Sequence, residues 1–271
     1  MVFFNYSRMQ MAAKIVYYGP GLCGKTTNLH WIYGHTATDS RGEMVSLETE
    51  TDRTLFFDLL PIDVGNIAGF DTRLQLYTVP GQVFYNTTRK LVLKGVDGVV
   101  FVADSQRPML QANLDSFRNL EENLADMGLL LDNLPLVLQY NKRDLADVLA
   151  VEDLNRALNR RNWPWFEAAA VQGKGVFETL KGVSKLTLLS LRQRLSKGTS
   201  SADRPVVVVN EPAARPATSF QPVVNSWRRP TCRVRLRRRR AVRRSAPSFF
   251  KARSTSKGGA WTRLFLAVMG S

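Results

Sequence analysis

Cysteine, acidic residues and long hydrophobic runs are all scarce in this 271-residue chain. The two cysteines, Cys23 and Cys232, lie in separate halves, which argues against a disulfide framework and fits a cytosolic compartment. No apolar run approaches the roughly 18 to 20 residues that span a bilayer. The first residues lack a positive segment followed by an apolar stretch, so we expect no secretory signal and a cytoplasmic protein.

The excess of 38 Lys and Arg over 23 Asp and Glu is confined to the end of the sequence. Residues 1–197 carry 22 basic and 21 acidic side chains, whereas residues 198–271 carry 16 and 2. The net charge of +15 therefore says nothing about the partner of residues 1–197. We expect no nucleic acid to bind that part of the chain.

Residues 198–271 form a segment of different composition, dominated by Pro, Ser and Arg, with an arginine block at 237–240. We predict a disordered tail there. Three interpretations are open: binding to acidic lipid or nucleic-acid surfaces, an inert solvated extension, or a non-native segment translated out of frame from GC-rich sequence. The abrupt change in composition and the lack of a motif favour the last two.

Strand-like and helix-like segments alternate through residues 1–197, which we predict to be one domain. Near-continuous or alternating apolar runs predict strands at 12–18, 72–79, 97–104 and 134–140. Helical spacing predicts helices from residue 25, at 108–127, 151–159 and 176–195. The predicted apolar face of the last helix consists of Leu180, Val183, Leu186, Leu189 and Leu191. This order predicts an α/β fold with a mostly parallel central sheet and helices on both faces.

The strongest local motif follows the first predicted strand and fits G-x-x-x-x-G-K-[ST]. Its residues are Gly19, Pro20, Gly21, Leu22, Cys23, Gly24, Lys25 and Thr26. The backbone amides of such a loop wrap a phosphate chain, Lys25 reaches the β- and γ-phosphates, and the Thr26 hydroxyl can ligate Mg²⁺. We include Thr27, the next residue, among the predicted nucleotide contacts. A plain glycine-rich turn is the alternative, which the flanking strand and helix disfavour.

A second motif, Asn141-Lys142-Arg143-Asp144, follows the strand predicted to end at residue 140. The Asp144 carboxylate can accept hydrogen bonds from N1–H and the amino group of guanine, whereas adenine has no proton at N1. Such a site can reject the wrong base by on the order of 10⁴. Asn141 can hold the other edge of the base and brace the phosphate loop, while the Lys142 stem covers the ring. Alone, this string would more often be a surface turn.

The third motif, Thr78-Val79-Pro80-Gly81-Gln82, also ends a predicted strand. We expect the Gly81 N–H to contact a γ-phosphate and Gln82 to orient the attacking water. Most GTPases carry an Asp where Thr78 stands, with Mg²⁺ linked to it through water, so Thr78 is a departure. Without the other motifs, a simple strand-to-loop turn would be a serious alternative.

Residues 47–58 occupy the place of a switch loop, between the first helix and the next strand. We choose Thr54 as the threonine that contacts Mg²⁺ and the γ-phosphate, ahead of Thr51 and Thr49. Arg53 can supply positive charge to the transferring phosphoryl group, an effect of roughly 10³ or more on the rate. A solvated acidic loop with one arginine is the alternative.

An alanine-rich loop at 168–171 occupies the place where a backbone N–H meets guanine O6. We assign this role to Ala169 and Ala170. The serine usual near the start of such a loop is absent, so any polar contact there comes from the backbone.

The order of these motifs resembles that of Ras-like small GTPases, and most closely that of the bacterial MglA family of gliding-motility and polarity GTPases. The resemblance extends over about residues 1–197, and its most specific strings lie at 14–29, 50–58, 77–85 and 139–144. It implies a P-loop NTPase of the small-GTPase fold that uses GTP, GDP and Mg²⁺. The tail falls outside it.

The resemblance carries further implications. It implies that Thr78 is a trait of the family. It also implies that Arg53 acts as an arginine finger in cis and that Gln82 positions the water. A dimeric roadblock-domain protein, MglB in that family, would act as GTPase activator by reorienting the switches without inserting an arginine. In the GTP state the protein would be recruited to a cell pole and would bind polarity or motility effectors.

The leading hypothesis is therefore a GTP-hydrolysing molecular switch that is slow without an activating partner, with Gln82, Arg53 and Lys25 as catalytic residues. The alternative is a GTP- and GDP-binding scaffold with little hydrolysis, because the usual Asp is missing and Mg²⁺ would be held weakly. A third hypothesis, an arginine-rich nucleic-acid-binding protein, depends on the tail alone.

Overall fold

The structure is a computed structural model, and it describes residues 3–5, 7–46, 57–67, 69–81 and 85–198. The tail predicted at 198–271 lies outside the described residues, apart from residue 198. Within these ranges, no helix combines the length and apolar character needed to cross a membrane.

One eight-stranded sheet organises the described residues. In chain order the elements are β1 (Phe3–Asn5), β2 (Gln10–Tyr18), α1 (Lys25–His35), β3 (Val45–Ser46), β4 (Asp58–Ile67), β5 (Phe70–Thr78), α2 (Asn86–Leu93), β6 (Gly98–Asp104), α3 (Leu110–Ala125), β7 (Leu136–Asn141), α4 (Val151–Leu158), β8 (Trp165–Glu167) and α5 (Val176–Gly198). The spatial order is β3-β4-β5-β2-β6-β7-β8, with β1 beside β2. The strands from β5 to β8 pair in parallel, and β1, β3 and β4 pair antiparallel.

The sheet has an apolar core on each face, as its sequence pattern requires. Successive β2 residues alternate between the cores: Ile15 and Tyr17 face one, Val16 and Tyr18 the other. The first core is covered by α1 and α5, the second by α2, α3 and α4. Every residue of β6 and β7 is buried, because strands covered on both faces need near-continuous apolar runs. The predicted α/β fold with helices on both faces is confirmed.

Strand β4 is absent from the sequence prediction, and its local structure explains why. Its first half alternates, with Asp58, Leu60 and Ile62 buried. A register shift between Asp63 and Gly65 then breaks the pairing with β5, and the second half is not buried. A bulge adds one residue to one strand, so a strict period of two does not continue through it.

One predicted core position in α5 is wrong. Leu189 is 38% exposed, whereas its neighbour Leu188 is 3% exposed and belongs to the core. Leu189 lies nine residues after Leu180, about two and a half helical turns, and so on the opposite side of the helix. Leu180, Val183 and Leu191 are buried as predicted.

Leu188 and Leu189 allow a matched stability test, because the same substitution is made at adjacent helix positions. Leu188→Ala should lower the free energy of unfolding by roughly 2 to 5 kcal/mol, because it opens a cavity in the core. Leu189→Ala should lower it by no more than about 1 kcal/mol. Urea denaturation of the full chain measures both, and equal losses would contradict the orientation of α5.

Candidate functional site

The predicted motifs meet at one edge of the sheet, where the parallel strands end. The phosphate loop follows β2, Thr78 ends β5, Asp104 ends β6 and Asn141 ends β7. Because these strands are parallel and adjacent, their carboxyl ends open into a common crevice, where α/β sheets bind ligands.

Lys25 is held at the start of α1 with its ammonium turned back onto the phosphate loop. Its Nζ donates to the carbonyls of Gly19 at 3.0 Å and Pro20 at 2.6 Å, and it contacts Cys23 Sγ at 3.6 Å. Burial lowers the pKa of Lys25 and raises the pKa of the Cys23 thiol. The loop thus holds a desolvated cation whose neighbours in the loop are neutral carbonyls and a thiol.

Asp58 is a carboxylate bonded to this loop, and three hydroxyls donate to it. Thr26 Oγ1 donates to Asp58 Oδ2 at 2.7 Å, Thr78 Oγ1 donates to the same oxygen at 3.0 Å, and Ser46 Oγ donates to Oδ1 at 2.8 Å. The Asp58 backbone N–H donates to Thr78 Oγ1 at 2.9 Å. Thr78 is therefore linked to the phosphate loop through Asp58, which the strand pairing of β4 and β5 brings beside it.

Residues 141–144 form the turn that we predict to bind the base, called here the base-binding turn. Asn141 joins this turn to two other loops. Its Nδ2 donates to the Cys23 carbonyl at 2.8 Å, and its Oδ1 accepts from the Ala170 N–H at 2.9 Å. Gly24, with φ of 100°, lies so close that a Cβ there would collide with Asn141 Nδ2. The close approach of backbone and amide makes this contact possible.

Lys142 and Asp144 extend from the same turn. Lys142 has a φ of 66°, and its Nζ forms an ion pair with the buried Asp104 at 2.6 Å. This contact fixes the direction of the lysine stem. Asp144 is exposed, and within the described residues no hydrogen bond or ion pair involves its carboxylate. Its oxygens are available to a ligand.

The amides of the alanine-rich loop differ in their availability. The Ala169 N–H donates to the Lys174 carbonyl at 3.0 Å, and the Ala170 N–H is taken by Asn141. The N–H of the next residue, Val171, has no acceptor in the described part of the chain. The side chain of Val171 is 72% exposed. The free amide of this loop is therefore one residue beyond the predicted pair.

Gly81 lies directly on the phosphate loop. A Cβ at Gly81 would overlap Gly21 Cα, so only glycine fits this approach. The fully buried Arg89 of α2 holds the segment from behind, with Nε donating to the Pro80 carbonyl at 2.9 Å and Nη2 to the Gly81 carbonyl at 2.6 Å. The third contact of Arg89, from Nη1 to Asn119 Oδ1 at 2.7 Å, ties the segment to α3.

Several predicted site residues fall outside the described residues, namely Thr49, Thr51, Arg53, Thr54 and Gln82. The described ones, from Gly19 to Thr27 and at Thr78, Gly81, Asn141, Lys142, Asp144 and the alanine loop, gather at the same edge. Their roles toward a nucleotide stay predictions. Within the described ranges, no group of three His, Cys, Asp or Glu side chains could hold a metal by itself.

Sequence reasoning missed Asp58 and Arg89 as site residues. Asp58 is the last residue of the switch segment in the sequence, and a missing carboxylate at Thr78 was a signal to search the neighbouring strand. No such signal in the sequence pointed to Arg89. Arginine side chains on helices are usually exposed, and nothing in the sequence distinguishes the rare buried one.

The small-GTPase fold combines three features that are present here. They are a phosphate loop followed by a helix, a turn of the N-K-x-D type after a strand, and a mostly parallel sheet. No protein-family model matches the sequence. The chain is 59% identical over 193 residues to the mutual gliding-motility protein MglA of Myxococcus xanthus (strain DK1622), a match that covers 71% of this chain and 99% of that protein. The chain belongs to the MglA family of small GTPases.

Base selectivity can be tested at Asp144. Xanthine carries an oxygen where guanine carries its amino group, so Asp144→Asn replaces an acceptor with a donor that matches xanthine. We expect the affinity for GTP to fall by about 100-fold or more and the affinity for xanthosine triphosphate to rise. Equilibrium titration with fluorescent nucleotides measures both affinities.

Asp147→Asn is the matched control, because Asp147 is exposed, follows in the same turn and pairs with Arg107 instead. It should leave both affinities unchanged. An Asp144→Asn variant that keeps the preference for GTP would contradict the assignment.

Proposed function

We propose that this chain is a GTP-binding and GTP-hydrolysing molecular switch. The observation that carries the proposal is the cluster formed by Lys25, Thr26 and Asp58, a buried cation beside a hydroxyl and a carboxylate at the start of a helix. Among the described residues, the Lys25 ammonium bonds only carbonyls and a thiol, so a polyphosphate would provide its negatively charged partner. The membership in a family of small GTPases supports the same conclusion.

The base would be bound by three groups at the edge of the sheet. The free carboxylate of Asp144 would accept from N1–H and the amino group of guanine, and the stem of Lys142 would cover one face of the ring. The free N–H of Val171 would donate to guanine O6. Asn141 would act mainly by holding this arrangement against the phosphate loop.

Mg²⁺ would neutralise charge on the β- and γ-phosphates when bound. The donors suit this ion, because Mg²⁺ prefers oxygen ligands and is commonly held by one or two carboxylates and several waters. The Thr26 hydroxyl directs its proton to Asp58, which leaves its lone pairs for the cation. We infer that Asp58 replaces the carboxylate that most GTPases carry at position 78, and Thr54 would complete the set.

Asp58→Asn tests this inference without depending on turnover. We expect the dissociation of GDP to lose most of its dependence on Mg²⁺, because the carboxylate that would help to hold the ion is removed. The readout is the release rate of fluorescent GDP in Mg²⁺ and in EDTA.

Asp63→Asn is the control for Asp58, since Asp63 lies on the same strand but is exposed and paired with Arg73. Its ratio of the two release rates should match that of the wild type. An unchanged ratio in Asp58→Asn would exclude Asp58 from the Mg²⁺ site.

Hydrolysis would proceed by in-line attack of water, with Gln82 orienting the water and Arg53 supplying positive charge. The Gly81 N–H would donate a hydrogen bond to the γ-phosphate, since Gly81 already lies against Gly21 of the phosphate loop. The turnover would be slow alone, because the loops around the γ-phosphate must close. The alternative, a scaffold with little hydrolysis, is based on the absent Asp at position 78, and our inference that Asp58 replaces it argues against that alternative.

Single-turnover hydrolysis of GTP tests the catalytic assignment. Gln82→Leu and Arg53→Ala should each slow the reaction, Arg53→Ala by roughly 10³. Arg73→Ala is the control, because Arg73 is an exposed arginine of β5 that pairs with Asp63 on the adjacent strand β4. The rate is measured with and without a dimeric roadblock-domain protein. Wild-type rates in both variants would reject the proposal.

The relative's name, mutual gliding-motility protein, supports a role for this chain in motility or cell polarity. We propose that an MglB-like roadblock dimer activates hydrolysis and that the GTP state is recruited to a cell pole by effectors. Residues 198–271 would take no part in this activity, because the match to the relative covers nearly all of that protein with 71% of this chain.

A further inference from the structure

We propose that Asn28 and Gln139, a buried amide pair beneath the site, hold the phosphate-binding half and the base-binding half in register and thereby set how long a nucleotide stays bound. Both would be positioning residues, since neither reaches the crevice: each side chain is fully buried. The inference rests on the proposed nucleotide binding. It concerns residues that lie beneath the site and belong to none of the motifs described above.

The two amides pair reciprocally across the structure. Asn28 Nδ2 donates to Gln139 Oε1 at 2.9 Å, and Gln139 Nε2 donates to Asn28 Oδ1 at 2.9 Å. Asn28 lies in the first turn of α1, directly after the phosphate loop, and Gln139 lies in β7, two residues before Asn141. The pair therefore joins the helix that follows the phosphate loop to the strand that carries the base-binding turn.

Asn28 also bonds the phosphate loop directly, and Gln139 bonds a residue of α5. Asn28 Nδ2 donates to the Gly24 carbonyl at 2.9 Å, within the phosphate loop. Gln139 Nε2 donates to Thr179 Oγ1 at 3.0 Å, and that hydroxyl donates to the Gly175 carbonyl at 2.6 Å. Gly175 rests directly on the backbone of residues 167 and 168, where the alanine-rich loop begins. One chain of hydrogen bonds thus connects the phosphate loop, through β7 and α5, to Gly175, which lies against the start of the alanine-rich loop.

The network is complete, which fixes the orientation of both amides. All four amide hydrogens of Asn28 and Gln139 have an acceptor, and the Thr179 hydroxyl both accepts and donates. Turning either amide by 180° would oppose donor to donor. A fully satisfied buried network favours a single arrangement of the elements that it joins.

Stability alone does not require polar side chains here. Replacing both partners of a buried hydrogen bond by apolar groups of similar shape can be nearly neutral, whereas removing one partner is costly. The polar pair makes directional bonds to the Gly24 carbonyl and to the Thr179 hydroxyl, which leucines cannot make. These bonds add to the two that Asn141, two residues after Gln139, makes to the Cys23 carbonyl and the Ala170 N–H.

The test compares nucleotide release with stability in the full chain. The variants are Asn28→Leu, Gln139→Leu and the double variant, and the measurements are the midpoint of urea unfolding and the release rate of fluorescent GDP. Each single variant should be destabilised and should release GDP roughly tenfold faster. The double variant should recover most of the unfolding midpoint while GDP release stays fast.

Asn159→Leu is the matched control, because Asn159 also makes three side-chain hydrogen bonds, to Asn155 and Trp163, at the end of α4. It should be destabilised like Asn28→Leu and should release GDP within twofold of the wild-type rate. This control separates positioning from stability even if the double variant folds poorly.

The inference is overturned if the double variant regains the wild-type release rate with its stability, or if release in all variants, Asn159→Leu included, follows stability alone. These outcomes leave the proposed function intact, since the wild type would still bind GDP. A wild-type chain that binds no guanine nucleotide would instead reject the proposed function and this inference with it.

Discussion

The whole site depends on one close contact, in which Asn141 bonds the Cys23 carbonyl and the Ala170 amide beside Gly24. Parallel strands bring three loops to one edge of the sheet, but free loops have many conformations. A nucleotide that had to order them would lose part of its binding free energy to their conformational entropy. An amide that donates to one loop and accepts from another removes much of that freedom before any ligand arrives. The amide pair of Asn28 and Gln139 adds a second layer below it.

We infer that the carboxylate of Asp58 takes the place of the one that most GTPases carry at position 78. The hydroxyls of Thr26 and Thr78 both donate to it. Thr78 thus provides a polar group at the end of β5, and the negatively charged carboxylate beside it belongs to β4. β4 is antiparallel to β5, and its first residue therefore lies beside the last residue of β5. On our inference about Asp58, a residue missing from a motif in this chain is replaced by one on the adjacent strand.

Arg89 connects the segment that contacts the phosphate loop to the helices behind it. Its guanidinium is fully buried and donates to two successive carbonyls, of Pro80 and Gly81, and to Asn119 of α3. A buried guanidinium is tolerated only with such acceptors, since an unpaired one would cost several kcal/mol. Any movement of Gly81 toward or away from a phosphate must therefore break or carry these bonds, which links the segment to α2 and α3.

The sequence by itself determined the parallel strands, the phosphate loop and the base-binding turn, because each depends on local spacing: near-continuous apolar runs, glycines at fixed offsets, and an N-K-x-D string after a strand. It did not determine the bulged strand β4, or that Leu188 rather than Leu189 faces the core. It also did not reveal that Asp58 faces Thr26, or that Asn28 meets Gln139 from 111 residues away. Only the tertiary structure decided these contacts, because a polar side chain in a sequence does not state its partner, and burial and strand register bring the two together.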